Sequence, residues 1–137
     1  MLPHYKVFTR LCKSNIHGIG VFAIQDIPEG TPLFEFDNTE MVWVNANELE
    51  SLSPKLKQLY DDFCVTKNNK TLFGCPVNFN QMTMAWYMNH SDDPNVESDD
   101  DYNFISKKNI KEGEELTINY NNFNEEVQGN SSYDKNL

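Results

Sequence analysis

Three short stretches of the chain carry residue types at spacings that could do chemistry. The first is His17-Gly18-Ile19-Gly20-Val21-Phe22-Ala23, where two glycines let a backbone approach a ligand closely and leave amides uncovered by side chains. It completes no G-x-G-x-x-G, so a dinucleotide fold is not indicated, and by itself a glycine pair before a strand marks a tight turn or bulge. The second is Trp86-Tyr87-Met88-Asn89-His90-Ser91-Asp92-Asp93-Pro94-Asn95, a polar cluster following an apolar stretch. Such groups either bind a polar ligand or satisfy one another at a helix end. The third is Gly113-Glu114-Glu115-Leu116-Thr117-Ile118-Asn119-Tyr120, a turn feeding a strand that ends in tyrosine. A tyrosine there ordinarily packs its ring and turns its hydroxyl to water, so this motif alone decides nothing.

Metal chemistry is not expected. His90 has no histidine at i+4 and no cysteine nearby, so a site would have to be assembled from His4 and His17. Cys12, Cys64 and Cys75 form an odd set without C-x-x-C spacing, which indicates neither a disulfide framework nor a zinc ribbon; reduced thiols fit best.

The elements that must hold these stretches read as mainly β with a helical centre. Residues 5–11 alternate bulky and polar side chains and stop at Lys13-Ser14-Asn15. Residues 21–24 form a second strand. The turn Ile27-Pro28-Glu29-Gly30 leads into a third over residues 31–36, and Met41-Val42-Trp43-Val44 is a further apolar run. Ser53-Pro54 then offers an N-cap with proline at the first helical position, and Leu56, Leu59, Tyr60 and Phe63 recur at helical spacing, predicting an amphipathic helix. Asn47 with Glu50 suggests a capped turn just before it. Residues 80–88 read as one more helix, with Met84, Ala85 and Met88 on one face. Strand signals return at residues 102–106 and 116–120, the latter after Lys111-Glu112-Gly113. The similar turns at residues 27–30 and 110–113 are treated as independent.

Taken together and in order, Gly18-Ile19-Gly20, Asn89-His90-Ser91 with Pro94-Asn95, and the block from Gly113 to Tyr120 resemble the signature of SET-domain protein-lysine methyltransferases. The resemblance covers nearly the whole chain apart from its tail. It implies small curved β-sheets, a variable helical insert over about residues 45–80, and a C-terminal segment passing through a preceding loop in a pseudoknot that brings Asn89 and His90 beside Tyr120. It also implies transfer of a methyl group from S-adenosylmethionine to a substrate lysine, leaving S-adenosylhomocysteine. In this family the backbone around Gly18, Ile19 and Gly20 and the side chain of Asn89 hold the methionine part of the cofactor, main-chain groups of His90 read the adenine, and Tyr120 is the catalytic tyrosine. Phe123 is the nearest aromatic for packing over the adenine or lining the lysine channel, and reads equally well as an ordinary packing residue. Ile118 stands where the family often lines that channel, and reads equally well as a core strand residue.

The chain departs from the larger members of that family. It lacks their cysteine-rich segments before and after the domain, and resembles the small free-standing members of bacteria and viruses. The expected organisation is a SET domain over residues 1–124 and an acidic, flexible tail over 125–137. The channel is then completed by that tail, by a second copy of the chain in a homodimer, or by the substrate. A non-catalytic SET-like module that recognises a basic peptide is the alternative reading.

Composition sets the remaining bounds. The chain has 137 residues, enough for one domain with a real core. Its formal net charge of -10 disfavours nucleic acid and favours a basic protein or peptide. It contains no apolar run of about 18 residues and no signal-peptide pattern, so no membrane partner is expected, and the location is cytoplasmic or, for a protein acting on a host, the host cell interior or nucleus.

Overall fold

A computed structural model of the chain describes residues 1–37 and 40–122. The described residues divide into two compact units, one built from residues 1–37 and 83–119, the other from residues 40–82 and 120–122.

The first unit holds two sheets. β1 (Thr9–Lys13) and β2 (Ile19–Ala23) pair antiparallel with Thr9 opposite Ala23 and Lys13 opposite Ile19. β3 (Pro32–Leu33) follows. The second half of the unit supplies β7 (Asn89–His90), β8 (Val96–Ser98), β9 (Phe104–Ser106) and β10 (Glu115–Ile118). Strand order is β1-β2-β10-β7 in the larger sheet and β3-β9-β8 in the smaller. β10 is antiparallel to β2 and parallel to β7, with Thr117 opposite Asn89 and Ile118 opposite His90. The polar cluster and the terminal strand block are therefore neighbours in one sheet. A parallel pair needs a long crossover, and β8 and β9 lie within it.

Val21, Ile27, Val96, Ile110 and Leu116 are at most 1% exposed and form the core beneath these sheets. Burying each such side chain contributes about 1.5–3 kcal/mol. Ile27 and Ile110 form an isolated antiparallel bridge, each donating its N–H to the other's carbonyl, at 2.7 and 2.8 Å. The two similar turns are thus partners across the core, which their separation of more than eighty positions concealed.

The second unit contains β4 (Met41–Asn45), α1 (Pro54–Phe63), β5 (Val65–Lys67) and β6 (Leu72–Pro76), with sheet order β4-β6-β5. α1 starts as its sequence dictates: Ser53 caps it, its Oγ accepting from the Leu56 N–H, and Pro54 stands in the first turn. Its inner face is aromatic, with the Tyr60 ring meeting Phe79 edge-on at 5.0 Å and Phe73 at 6.3 Å. The insert is therefore one helix on a small sheet, since β5 and β6 lie within the span expected to be helical.

Other expectations shift. The turn before α1 is a 3-10 turn over Ala46–Leu49, and Glu48 accepts from the Asn45 N–H, placing the cap two residues earlier than Asn47 and Glu50. Residues 80–88 form no α-helix. Two 3-10 turns, Phe79–Gln81 and Met84–Tyr87, replace it, because Asn78 hydrogen-bonds the Asn80 N–H and Met82 and Thr83 are extended. The strand expected over residues 31–36 ends at Leu33, because Phe34 turns to φ 59. No helix among the described residues is long and apolar enough to cross a membrane.

Candidate functional site

The chain leaves β1 through a loop that Ser14 shapes locally. The Ser14 Oγ accepts from the Ile16 N–H at 2.9 Å and the His17 N–H at 3.3 Å, and the Ser14 N–H donates to the Gly18 carbonyl at 2.8 Å. Gly18 closes this turn at φ +49, a conformation that side chains disfavour. Gly20 then enters β2 with its Cα against a carboxylate: a Cβ there would collide with Glu115 and crowd the Asn89 amide at 3.1 Å.

Asn89 braces this loop from the opposite strand. Its Nδ2 donates to the His17 carbonyl at 3.0 Å, the Ile19 carbonyl at 3.3 Å and Glu115 Oε2 at 2.8 Å. Only 5% of Asn89 is exposed, so these bonds replace lost hydration of a buried amide. Glu115, the first residue of β10, also accepts from the Ser14 Oγ, at 2.7 Å through Oε1 and 2.9 Å through Oε2. Asn95 fixes that strand: its Nδ2 donates to the Glu115 carbonyl and its Oδ1 accepts from the Thr117 N–H, both at 2.8 Å.

His90 follows on β7, its Nε2 2.8 Å from Asp92 Oδ1. The Ser91 N–H extends the strand pairing by donating to the Ile118 carbonyl at 3.0 Å. Ile118 itself is 4% exposed and belongs to the core. Of the expected site residues, Gly18, Ile19, Gly20 and Asn89 thus come together, Asn89 bonded to the Ile19 carbonyl and close against Gly20, with His90 next along β7. Tyr120 is half-buried and opens a 3-10 turn, Tyr120–Asn122, in the second unit. Phe123 and the tail over residues 125–137 lie outside the described residues.

Sequence reasoning did not single out Ser14, Asn95 or the side chain of Glu115. Ser14 sat in a stretch read only as a turn, and Asn95 and Glu115 lay within quoted motifs without a role. Their pairing across 101 and 20 positions has no local signal.

Among the described residues no group of three or more His, Cys, Asp or Glu side chains could hold a metal ion. A cavity of about 400 Å³ lies elsewhere in the first unit, lined among others by Leu2, Tyr5, Phe8, Phe34 and Met84, and contains none of the motif residues. Asp37 borders it. Its Oδ2 is buried with no hydrogen-bond partner among the described residues, and burial pushes the carboxyl above its ordinary range, against a hydrogen bond from the Met84 backbone.

Small, largely antiparallel sheets, the larger of which contains one parallel strand pair, set a glycine loop against a buried asparagine in a mainly β chain. The SET-domain family model matches residues 18–121, and the chain belongs to that family. Its fold is similar to a chain in the structure of a humanized mutant of the Chaetomium thermophilum Polycomb Repressive Complex 2 bound to the inhibitor GSK126, at 23% identity and a TM-score of 0.56. That match covers 86% of this chain, which spans 15% of the length of the matched one. A candidate histone methyltransferase of Plasmodium falciparum matches at 21% identity and a TM-score of 0.45, over 82% of this chain and 91% of that one. No curated protein sequence matches.

Proposed function

We propose that the chain is an S-adenosylmethionine-dependent protein-lysine methyltransferase acting on a basic protein. The observation that carries this reading is the bonding of Asn89, the first residue of one family motif, to the His17 and Ile19 carbonyls of the glycine loop that carries another. Membership of the SET family supports the reaction class.

The residues present fit a cationic cofactor. The loop offers backbone carbonyls and a Cα surface without side chains, and the Glu115 carboxylate behind it has no cationic partner among the described residues. Gly18, Ile19, Gly20 and Asn89 hold the methionine part, and His90 reads the adenine through its main chain. When bound, the cofactor supplies an electrophilic methyl group carried on a sulfonium. Tyr120 orients the reacting groups with its hydroxyl and acts electrostatically, not as a base.

A substrate lysine must lose its proton first, being neutral only about one part in a thousand at physiological pH. An apolar channel lowers its pKa by desolvation, and a cationic neighbour lowers it further, so no dedicated base is needed. The formal charge of -10 favours a lysine-rich substrate.

Calorimetry with S-adenosylmethionine and S-adenosylhomocysteine, followed by incubation with labelled cofactor and a mixture of basic proteins, tests the proposal. Binding with transfer of label to lysine supports it. Binding without any transfer points instead to a non-catalytic SET-like module, and absence of binding contradicts both.

A further inference from the structure

Resting on that reading, we infer that Glu115 is a positioning residue for the cofactor: an acceptor-only group that holds Asn89 and the Gly18–Gly20 loop in the form that binds. The loop is gripped from two sides. Ser14 binds the Ile16 and His17 N–H groups on one, and Asn89 binds the His17 and Ile19 carbonyls on the other. The Glu115 carboxylate is bonded to both grips at 2.7–2.9 Å, and it fills the space a Gly20 side chain would need.

The chemistry of these partners demands a carboxylate. The Ser14 oxygen already accepts two backbone N–H groups, so its one hydroxyl proton must go outward, to Glu115. Asn89 presents its amino group, which only donates. Glutamine at position 115 has the same length and volume, but one of its two terminal atoms is itself an NH₂. That NH₂ would face either the saturated Ser14 oxygen or the Asn89 amino group, donor against donor, and a half-buried donor left unmet there is costly. The loop then has to release Ser14 or Asn89.

Three variants test this by calorimetry with S-adenosylhomocysteine and by steady-state methyl transfer. Glu115→Gln is expected to weaken S-adenosylhomocysteine binding and raise KM for S-adenosylmethionine by about tenfold or more, with kcat changed much less. Ser14→Ala is expected to weaken binding several-fold, and Ser14→Ala with Glu115→Gln to be no worse than Glu115→Gln alone, because both act through one network. Wild-type affinity in Glu115→Gln overturns the inference while leaving the methyltransferase reading intact. So does full additivity of the two substitutions, or an affinity loss that merely tracks a fall in melting temperature. Wild-type protein that binds neither ligand overturns the reading and this inference together.

Discussion

Asn89 and Glu115 stand on strands that pair in parallel, and the Asn89 amide donates to the Glu115 carboxylate at 2.8 Å. Parallel pairing sets Asn89 opposite Thr117, two positions beyond Glu115, so both side chains reach the same face beneath the glycine loop. The sheet order β1-β2-β10-β7 follows from this contact as much as from the core, since β10 enters between the hairpin that carries the loop and the strand that braces it.

Asn89→Ala removes an amide that is 5% exposed and leaves the His17 carbonyl and the Glu115 carboxylate short of a donor. A loss of about 2–3 kcal/mol in unfolding free energy is expected, at the upper end for hydrogen bonds to a charged group. Urea denaturation monitored by tryptophan fluorescence measures it. A loss below about 0.5 kcal/mol would show that the brace carries no energetic weight.

The two loop glycines should respond differently to alanine. At Gly18 an added Cβ meets open space, so Gly18→Ala carries only the strain of φ +49, roughly 1 kcal/mol. At Gly20 the Cβ runs into Glu115 and Asn89, and Gly20→Ala is expected to weaken S-adenosylhomocysteine binding by about tenfold or more as the network moves aside. Equal effects at the two positions in calorimetry would contradict the close approach at Gly20.

Asp37 makes stability depend on pH in an unusual direction for a carboxylate. Burial raises its folded pKa above the ordinary value of 3.8, so the folded state keeps the proton that the unfolded state has released. Stability from this group is therefore complete below about pH 3.8 and is lost as pH rises through the folded pKa. Asp37→Asn cannot ionise. Its urea midpoint relative to wild type should increase between about pH 3.5 and 7, and a difference that stays constant over that window would refute the assignment.

The cysteines should alkylate in an order set by access and by the acidity of each thiol, the pKa of the Cys75 thiol being lowered by the hydrogen bond from Cys64. Cys64 is 6% exposed, and its thiol is held well above the ordinary range because it donates to the Cys75 sulfur and is buried. Cys12 is half-buried on β1. With iodoacetamide at about pH 8, mass spectrometry of native protein is expected to find Cys12 modified first and Cys64 last. Early modification of Cys64 would mean that α1 opens readily from its sheet.

What the sequence made legible was local. α1 was readable because Ser53 and Pro54 announce it and Leu56, Leu59, Tyr60 and Phe63 keep helical spacing. The glycine loop, Asn89 and the strand before Tyr120 were readable as motifs. β6 was not, because Leu72-Phe73-Gly74-Cys75-Pro76 has no alternation and contains glycine and proline, which strands disfavour; yet it is the central strand of its sheet. Residues 80–88 kept apolar positions at helical spacing, but the local hydrogen bond of Asn78 captured the backbone first. The bonds of Glu115 to Ser14 and Asn89 join residues 101 and 26 positions apart, and nothing in either neighbourhood specifies them.

The central claim, that Tyr120 serves methyl transfer on a cofactor held by the Asn89-braced loop, meets its most direct test in Tyr120→Phe. Wild type and variant are incubated with labelled S-adenosylmethionine and a mixture of lysine-rich proteins, and S-adenosylhomocysteine affinity is measured in parallel. The expected result is label on lysine for wild type, with a loss of roughly a hundredfold or more in the variant at nearly unchanged affinity. Full turnover by Tyr120→Phe, or no transfer by wild-type protein that binds S-adenosylhomocysteine, would contradict it.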